Sequence, residues 1–129
     1  MNGVNKVQDS VIQTAILSTI ERAQTWLWSM QEAGKPKGVL KISAAQDSAI
    51  WPGMLLPGSY NGLQALQLIG GLDTLTDTER DSLAGWFLQS RLPDGVFRIE
   101  GMKPDDTFKK PDPLETETYI DFHVTNYSL

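Results

Sequence analysis

One helix-to-loop pattern occurs twice in this chain, and the repeat limits the fold more than any other feature of the sequence. Each copy has a Glu-Arg pair, a Trp-x-apolar-Gln run, and a Gly-Val-apolar run after a break. The repeated positions are Arg22, Trp28, Gln31 and Gly38 in the first copy, and Arg80, Trp86, Gln89 and Gly95 in the second. The copies lie about 58 residues apart, a length typical of stacked helical repeats. We therefore expect an all-α chain built from αα-hairpins.

The first hairpin, repeat one, is predicted over about residues 10–70. Its long helix is expected over 10–33, where Ser10 and Gln13 form a capping-box pattern. Apolar residues then recur at steps of three and four, which places them on one face of a helix. These are Ile12, Ile16, Ile20, Ala23, Leu27 and Met30. A long loop is expected over 35–57, followed by a short helix over 59–69.

The second hairpin, repeat two, is predicted over about residues 76–129. Its long helix should start at Thr76, which forms a second capping-box pattern with Glu79, and end before Pro93. A loop rich in charge and proline follows over 98–114. The last helix should start near 116–118. It shows no stop signal before Leu129, so we expect a chain that is cut in mid-helix.

Composition restricts the classes of function. The chain has 129 residues and a net charge of −5, with its basic residues scattered, so we expect no nucleic-acid partner. It has no cysteine and a single histidine, and we predict neither a metal nor a cofactor. The first ten residues are polar, and no apolar run approaches the roughly 20 residues of a membrane span. We therefore expect a cytoplasmic protein without a membrane span.

The repeat resembles that of the terpenoid cyclase and protein prenyltransferase superfamily. The residues that match its signature in order are Arg22, Ala23, Trp26-Leu27, Gln31 and Gly38 in the first copy, and Arg80, Gln89, Gly95 and Phe97 in the second. In the second copy Ala84-Gly85 replaces the aromatic-aliphatic pair. The resemblance implies an α/α-toroid of about six hairpins, of which this chain supplies two.

Two further expectations follow from that resemblance. The first and third helices would be outer, and the second and fourth would be inner and face a cavity. The repeated glutamine would tie the end of an outer helix to the start of the next inner one.

Two hairpins leave one side of the inner layer open, so we also expect self-association or a missing remainder of the chain. The residues in need of cover are Leu63, Leu66, Val124 and Leu129.

The densest polar run supplies the candidate functional residues. Asp121, His123 and Tyr127 are candidate catalytic residues because they lie close together in a predicted inner helix. Tyr60, Asn61 and Asn126 are candidate ligand-binding residues at corresponding helix starts. The alternative is that both groups only cap helices. Asp105-Asp106 is the nearest match to the aspartate-rich motif of class II cyclases, but its first aspartate is missing, which favours a solvated turn.

Three functions stay open on the sequence. The first is a terpenoid cyclase- or prenyltransferase-like domain of an isoprenoid-processing enzyme, with an apolar small-molecule ligand and catalytic residues outside this chain. The second is a carbohydrate-active α/α-barrel that uses Asp121, His123 and Tyr127. The third is a non-catalytic domain that binds a ligand or partner. An apolar, aromatic cavity wall favours the first, and carboxylates about 5 to 10 Å apart favour the second. A cavity filled by side chains favours the third.

Overall fold

The chain folds as a set of helices joined by turns. The computed structural model describes residues 2–97, 124–126 and 128, with side chains from residue 6 onward. The α-helices are α1 (Asn2–Trp28), α2 (Leu55–Leu68) and α3 (Asp77–Gln89), with 3-10 turns at Pro52–Met54 and Gly71–Thr74. Residues 124–126 and 128 are also helical. Across the described residues there is no strand, only two isolated bridges, which confirms the all-α class.

Helix α1 begins eight residues before the predicted start. Ser10 lies inside the helix, where its carbonyl oxygen accepts a hydrogen bond from Thr14 Oγ1 at 2.9 Å. The predicted capping box at Ser10 is therefore wrong, because the helical pattern continues through the preceding turns without a breaker. The helix ends at Trp28 rather than at residue 33. Gly34, with φ +73°, belongs to the loop that follows.

Helix α2 also begins early, at Leu55 instead of Ser59. Pro57 was predicted to belong to the loop, yet it is the third residue of the helix. The position tolerates proline because the first amides of a helix have no intrahelical acceptor to lose. Helix α3 starts as predicted. Glu79 N donates to Thr76 Oγ1 at 3.2 Å, and Thr76 N donates to Glu79 Oε2 at 2.8 Å, which confirms the capping box.

The loops that follow α1 and α3 share one geometry. In the first, Gln31 and Leu40 form a single antiparallel bridge, and in the second Arg91 and Phe97 do so. A left-handed glycine stands two residues before each bridge end, at φ +101° in the first loop and +90° in the second. The structural counterpart of Gln31 is therefore Arg91 and not Gln89, because the second loop is three residues shorter between its bridge ends.

A hydroxyl group, buried at Ser59 and partly buried at Thr125, ties each of these loops to a helix. Leu40 N donates to Ser59 Oγ at 2.9 Å, and Phe97 N donates to Thr125 Oγ1 at the same distance. Ser59 is fully buried on α2, and its own hydroxyl donates to Leu55 O at 2.6 Å. The sequences around the two hydroxyls also correspond, as Ser59-Tyr60-Asn61-Gly62-Leu63 and Thr125-Asn126-Tyr127-Ser128-Leu129.

The glutamines have a different role from the one predicted. Gln31 Oε1 accepts from Gly38 N at 2.8 Å, and its Nε2 donates to Glu32 O at 2.9 Å and Pro36 O at 3.1 Å. These bonds close its own loop and do not reach α2. Gln89 is exposed at the end of α3 and forms no hydrogen bond with its side chain among the described residues. The expected glutamine tie between outer and inner helices is absent here, since Ser59 and Thr125 make that link.

Three apolar clusters form the core between the helices. The largest contains Val39, Leu55, Leu75 and Leu83, and it brings α3 against α2 and the first loop. The second contains Met30, Leu40 and Leu66, and the third contains Leu56, Phe97 and Val124. Leu66 and Val124 are 0% and 4% exposed. The expectation that these two residues need cover from another chain is wrong, because the chain itself buries them.

The amino-terminal half of α1 lies outside this core. Every described side chain from residue 6 to residue 19 is exposed, including Ile12 and Ile16 at 51% and 53%. The predicted apolar stripe is therefore at least partly buried only from Ile20 onward. Near its carboxyl end, α1 is joined to α2 by Gln24 Nε2, which donates to Ile69 O at 2.6 Å. Among the described helices, none has the length and apolar character needed to cross a membrane.

The first loop is joined to α3 by a charged pair. Lys37 Nζ lies 3.3 Å from Glu79 Oε1 and 5.5 Å from the centre of the Trp28 ring. Glu79 therefore takes part in both the helix cap and the contact between loop and helix. Its pKa lies below the ordinary glutamate value, chiefly because the carboxylate accepts a hydrogen bond from the Thr76 amide, with Lys37 as a further cause.

We predict that Ser59→Ala destabilises the fold by about 1 to 3 kcal/mol, because the buried amide of Leu40 loses its acceptor. The measurement is the free energy of unfolding in urea. Ser82→Ala is the matched control, since Ser82 is exposed on α3 and its hydroxyl makes no hydrogen bond within the described structure. Equal stability of the two variants would show that the Ser59 tie contributes nothing.

The lowered pKa of Glu79 predicts a loss of stability in acid. The ionised carboxylate stabilises the folded state, so its contribution is complete above the ordinary glutamate pKa of about 4.3. The contribution falls as the pH drops below that value and is gone beneath the folded-state pKa. Glu79→Gln keeps an acceptor for the cap but loses the charge. The difference in urea midpoint between parent and variant should therefore shrink between about pH 6 and pH 3.

Asp81→Asn is the control for this experiment, because Asp81 is exposed on α3 and forms no ion pair with a described residue. Its midpoint should follow that of the parent at each pH. A Glu79→Gln difference that stays constant down to the lowest pH would contradict the assigned role of the carboxylate.

Candidate functional site

A cleft opens where the carboxyl end of α1, the first loop and α2 meet. Its volume is about 190 Å³. The residues around it come from three segments, and most of them are apolar. They are Trp26, Leu27, Met30, Leu40, Lys41, Ile42, Gly58, Asn61 and Gly62. The volume exceeds the roughly 150 Å³ of a cavity that can hold benzene, so the cleft has room for a ring or a short branched chain.

Two glycines on α2 bring the loop close enough to form the cleft. Gly58 and Gly62 are one turn apart and share a face of the helix. A Cβ on Gly58 would strike the Leu40 carbonyl oxygen and lie 2.7 Å from Ile42 N. A Cβ on Gly62 would lie 2.5 Å from Leu40 Cδ1. The absence of side chains at both positions is therefore what lets residues 40–42 lie directly on the helix.

The floor of the cleft is buried and its rim is exposed. Leu40 and Met30 are buried at the floor, where Lys41 N donates to Met30 O at 2.8 Å. Trp26 and Ile42 are exposed at the rim, at 59% and 54%. A floor held by backbone hydrogen bonds and a rim of free apolar side chains are suited to take up an apolar group from solvent.

Polar groups in the cleft are few. Asn61 Nδ2 donates to Pro57 O at 2.9 Å, which fixes the amide on the surface of α2. Lys41 is half-buried and supplies a cationic group to the lining. The described lining residues include no carboxylate, histidine or hydroxyl side chain. Among the described residues, no cluster of three or more His, Cys, Asp or Glu side chains could hold a metal ion.

The structure separates the residues that the sequence grouped as candidates. Asn61 lines the cleft. Its neighbour Tyr60 contacts the cluster of Leu56, Phe97 and Val124 instead. Asn126 is exposed on the helical residues 124–126. The candidate catalytic residues and the acidic pair of the second loop lie outside the described residues, namely Asp121, His123, Tyr127, Asp105 and Asp106.

Most of the residues that line the cleft were not candidate functional residues on the sequence. A Gly-x-x-x-Gly spacing inside an apolar helix was the available signal for Gly58 and Gly62, since it marks a face that a backbone can approach. Trp26 offered a second signal, because it lies off the apolar stripe that contains Leu27. Lys41 and Ile42 carry no such signal, and only the path of the loop places them here.

Comparison with known proteins adds no family to this picture. No protein-family model matches the chain, and searches of curated proteins and of solved structures returned no match. The similarity to the toroid superfamily therefore rests on the repeat residues of this sequence alone.

We predict opposite effects for two glycine-to-alanine changes. Gly58→Ala should destabilise the fold by about 1 to 3 kcal/mol, because the new methyl group strikes the loop backbone. Gly85→Ala on α3 should stabilise it by about 0.5 to 1 kcal/mol, since nothing lies within 4 Å and alanine favours the helix. Thermal unfolding followed by circular dichroism measures both. A Gly58→Ala variant as stable as Gly85→Ala would contradict the close packing of loop and helix.

Proposed function

We propose that this chain is a helical-repeat domain, similar in type to prenyltransferase and terpenoid cyclase repeats, that binds an apolar isoprenoid-like group in the cleft. The observation behind the proposal is the apolar wall formed by Trp26, Met30, Leu40 and Ile42. A branched hydrocarbon gains free energy on such a wall by leaving water, at about 0.8 kcal/mol for each buried CH₂ group. The resemblance of the repeat supports the same class of ligand.

We infer the orientation of the ligand from the few polar groups of the cleft. Lys41 and Asn61 are the polar side chains of the lining, so an alcohol or phosphate head group would lie beside them. The hydrocarbon part would lie against Trp26 and Leu40. The described lining holds no carboxylate, histidine or hydroxyl side chain, and a binding role is the function we assign to the cleft.

The experiment is a titration of the chain with prenol and with geraniol, followed by two-dimensional amide NMR. We expect shifts at Gly58, Gly62 and residues 40–42 that saturate with ligand. Trp26→Ala should weaken binding by roughly tenfold, because the ring supplies the exposed wall of the cleft. Trp51→Ala is the matched control: Trp51 is 54% exposed, close to the 59% of Trp26, and lies outside the cleft.

A short oligosaccharide provides the second arm of the same titration. Saturable shifts with the sugar and none with geraniol would overturn the proposal in favour of a carbohydrate ligand. Equal weakening by Trp26→Ala and Trp51→Ala would show that the alcohol binds exposed tryptophans in general rather than the cleft. Neither ligand should change the amide signals of α3, which lines no part of the cleft.

A further inference from the structure

The two glycines beside the cleft, Gly58 and Gly62, meet different parts of the first loop. A Cβ on Gly58 would strike loop backbone, namely the Leu40 carbonyl oxygen and the Ile42 amide nitrogen. The three atoms nearest to a Cβ on Gly62 all belong to the Leu40 side chain, with Cδ1 at 2.5 Å and Cγ and Cβ at ordinary contact distances of 3.6 and 3.7 Å. Gly62 lies within α2 and is not one of the left-handed glycines, so its backbone conformation does not require glycine.

The side chain of Leu40 has one direction in which it can move. Its amide donates to Ser59 Oγ at 2.9 Å, and the following amide donates to Met30 O at 2.8 Å, so the backbone is held. On the core side, the Leu40 side chain packs against Met30 and Leu66, which are 6% and 0% exposed. A methyl group at residue 62 would therefore rotate Cδ1 about the side-chain bonds toward the cleft, where space is free.

We propose that Gly62 is the position that determines the length of hydrocarbon taken by the cleft, and that the preferred ligand has two isoprene units. This inference rests on the binding role proposed for the cleft. A cavity of roughly 150 Å³ holds a single ring, so one isoprene unit leaves part of the 190 Å³ cleft empty. The missing side chain at Gly62 keeps Leu40 at the floor and leaves that remaining space open.

The ratio of two affinities separates this role from a purely structural one. Each CH₂ group that loses its burial weakens binding by about fourfold. Shortening the cleft removes burial from the second isoprene unit of geraniol, whereas prenol keeps most of its contacts. A loss of stability alone would weaken both ligands by the same factor, because it lowers only the fraction of chains able to bind.

Titration of Gly62→Ala with prenol and with geraniol, followed by amide NMR, tests the proposal. We expect geraniol binding to weaken by about tenfold and prenol binding by less than about threefold. Gly85→Ala is the matched control, since it makes the same change inside a helix with nothing within 4 Å, and it should keep both affinities of the parent. Circular dichroism should show Gly62→Ala folded, because the atom that must move is the end of a flexible side chain.

Leu40→Val tests the same floor in the opposite direction. Valine lacks the δ carbons, so the cleft deepens beside Gly62 and the preference for geraniol over prenol should rise. This variant gives a result that does not depend on the folding of Gly62→Ala.

Two kinds of failure can be told apart. If the parent binds both alcohols but neither variant changes the ratio of affinities, or Gly85→Ala changes it equally, the role of Gly62 is overturned and the binding function stands. If neither alcohol produces saturable shifts in the parent, the binding function is overturned and the role of Gly62 with it.

Discussion

The hydrogen bond from the Leu40 amide to the buried Ser59 hydroxyl is the contact on which the rest of this structure depends. The loop after α1 must cross α2, and a buried amide without an acceptor would cost about 1 to 3 kcal/mol. Ser59 supplies the acceptor from inside the helix and returns its own proton to Leu55 O, so both groups are satisfied without water. Phe97 and Thr125 repeat the bond after α3. One polar contact thus fixes each loop in a position where its apolar residues enter the core.

That fixed loop also produces the cleft. Once Leu40 is held on α2, the face of the helix below it must be free of side chains, and Gly58 and Gly62 meet this condition. The remaining space is bounded by α1 and lined by Trp26 and Ile42 at the rim. The residues that allow the loop to pack on α2 therefore also line the proposed binding surface. The apolar lining follows from the fold, because the walls are the outer edges of the core clusters around Met30 and Leu40.

Two apolar surfaces of the chain remain exposed, and they differ in kind. The cleft is concave and large enough to hold one ring, which suits a small apolar group. The first half of α1 is convex, and its large apolar side chains are exposed over several turns.

The sequence by itself determined the all-α class, the cap of α3 at Thr76 and the recurrence of a glycine-containing loop after each long helix. These features depend on local chemistry: an N-cap hydroxyl, a left-handed glycine, and apolar residues at helical spacing. The tertiary structure decided which partners those elements meet. Gln31 resembled Gln89 in sequence, yet loop length made Arg91 its counterpart. Ile12 and Ile16 followed the same stripe as Leu27, yet only the carboxyl half of α1 reaches α2. Periodicity shows which face of a helix is apolar, but the path of the rest of the chain determines how much of that face is buried.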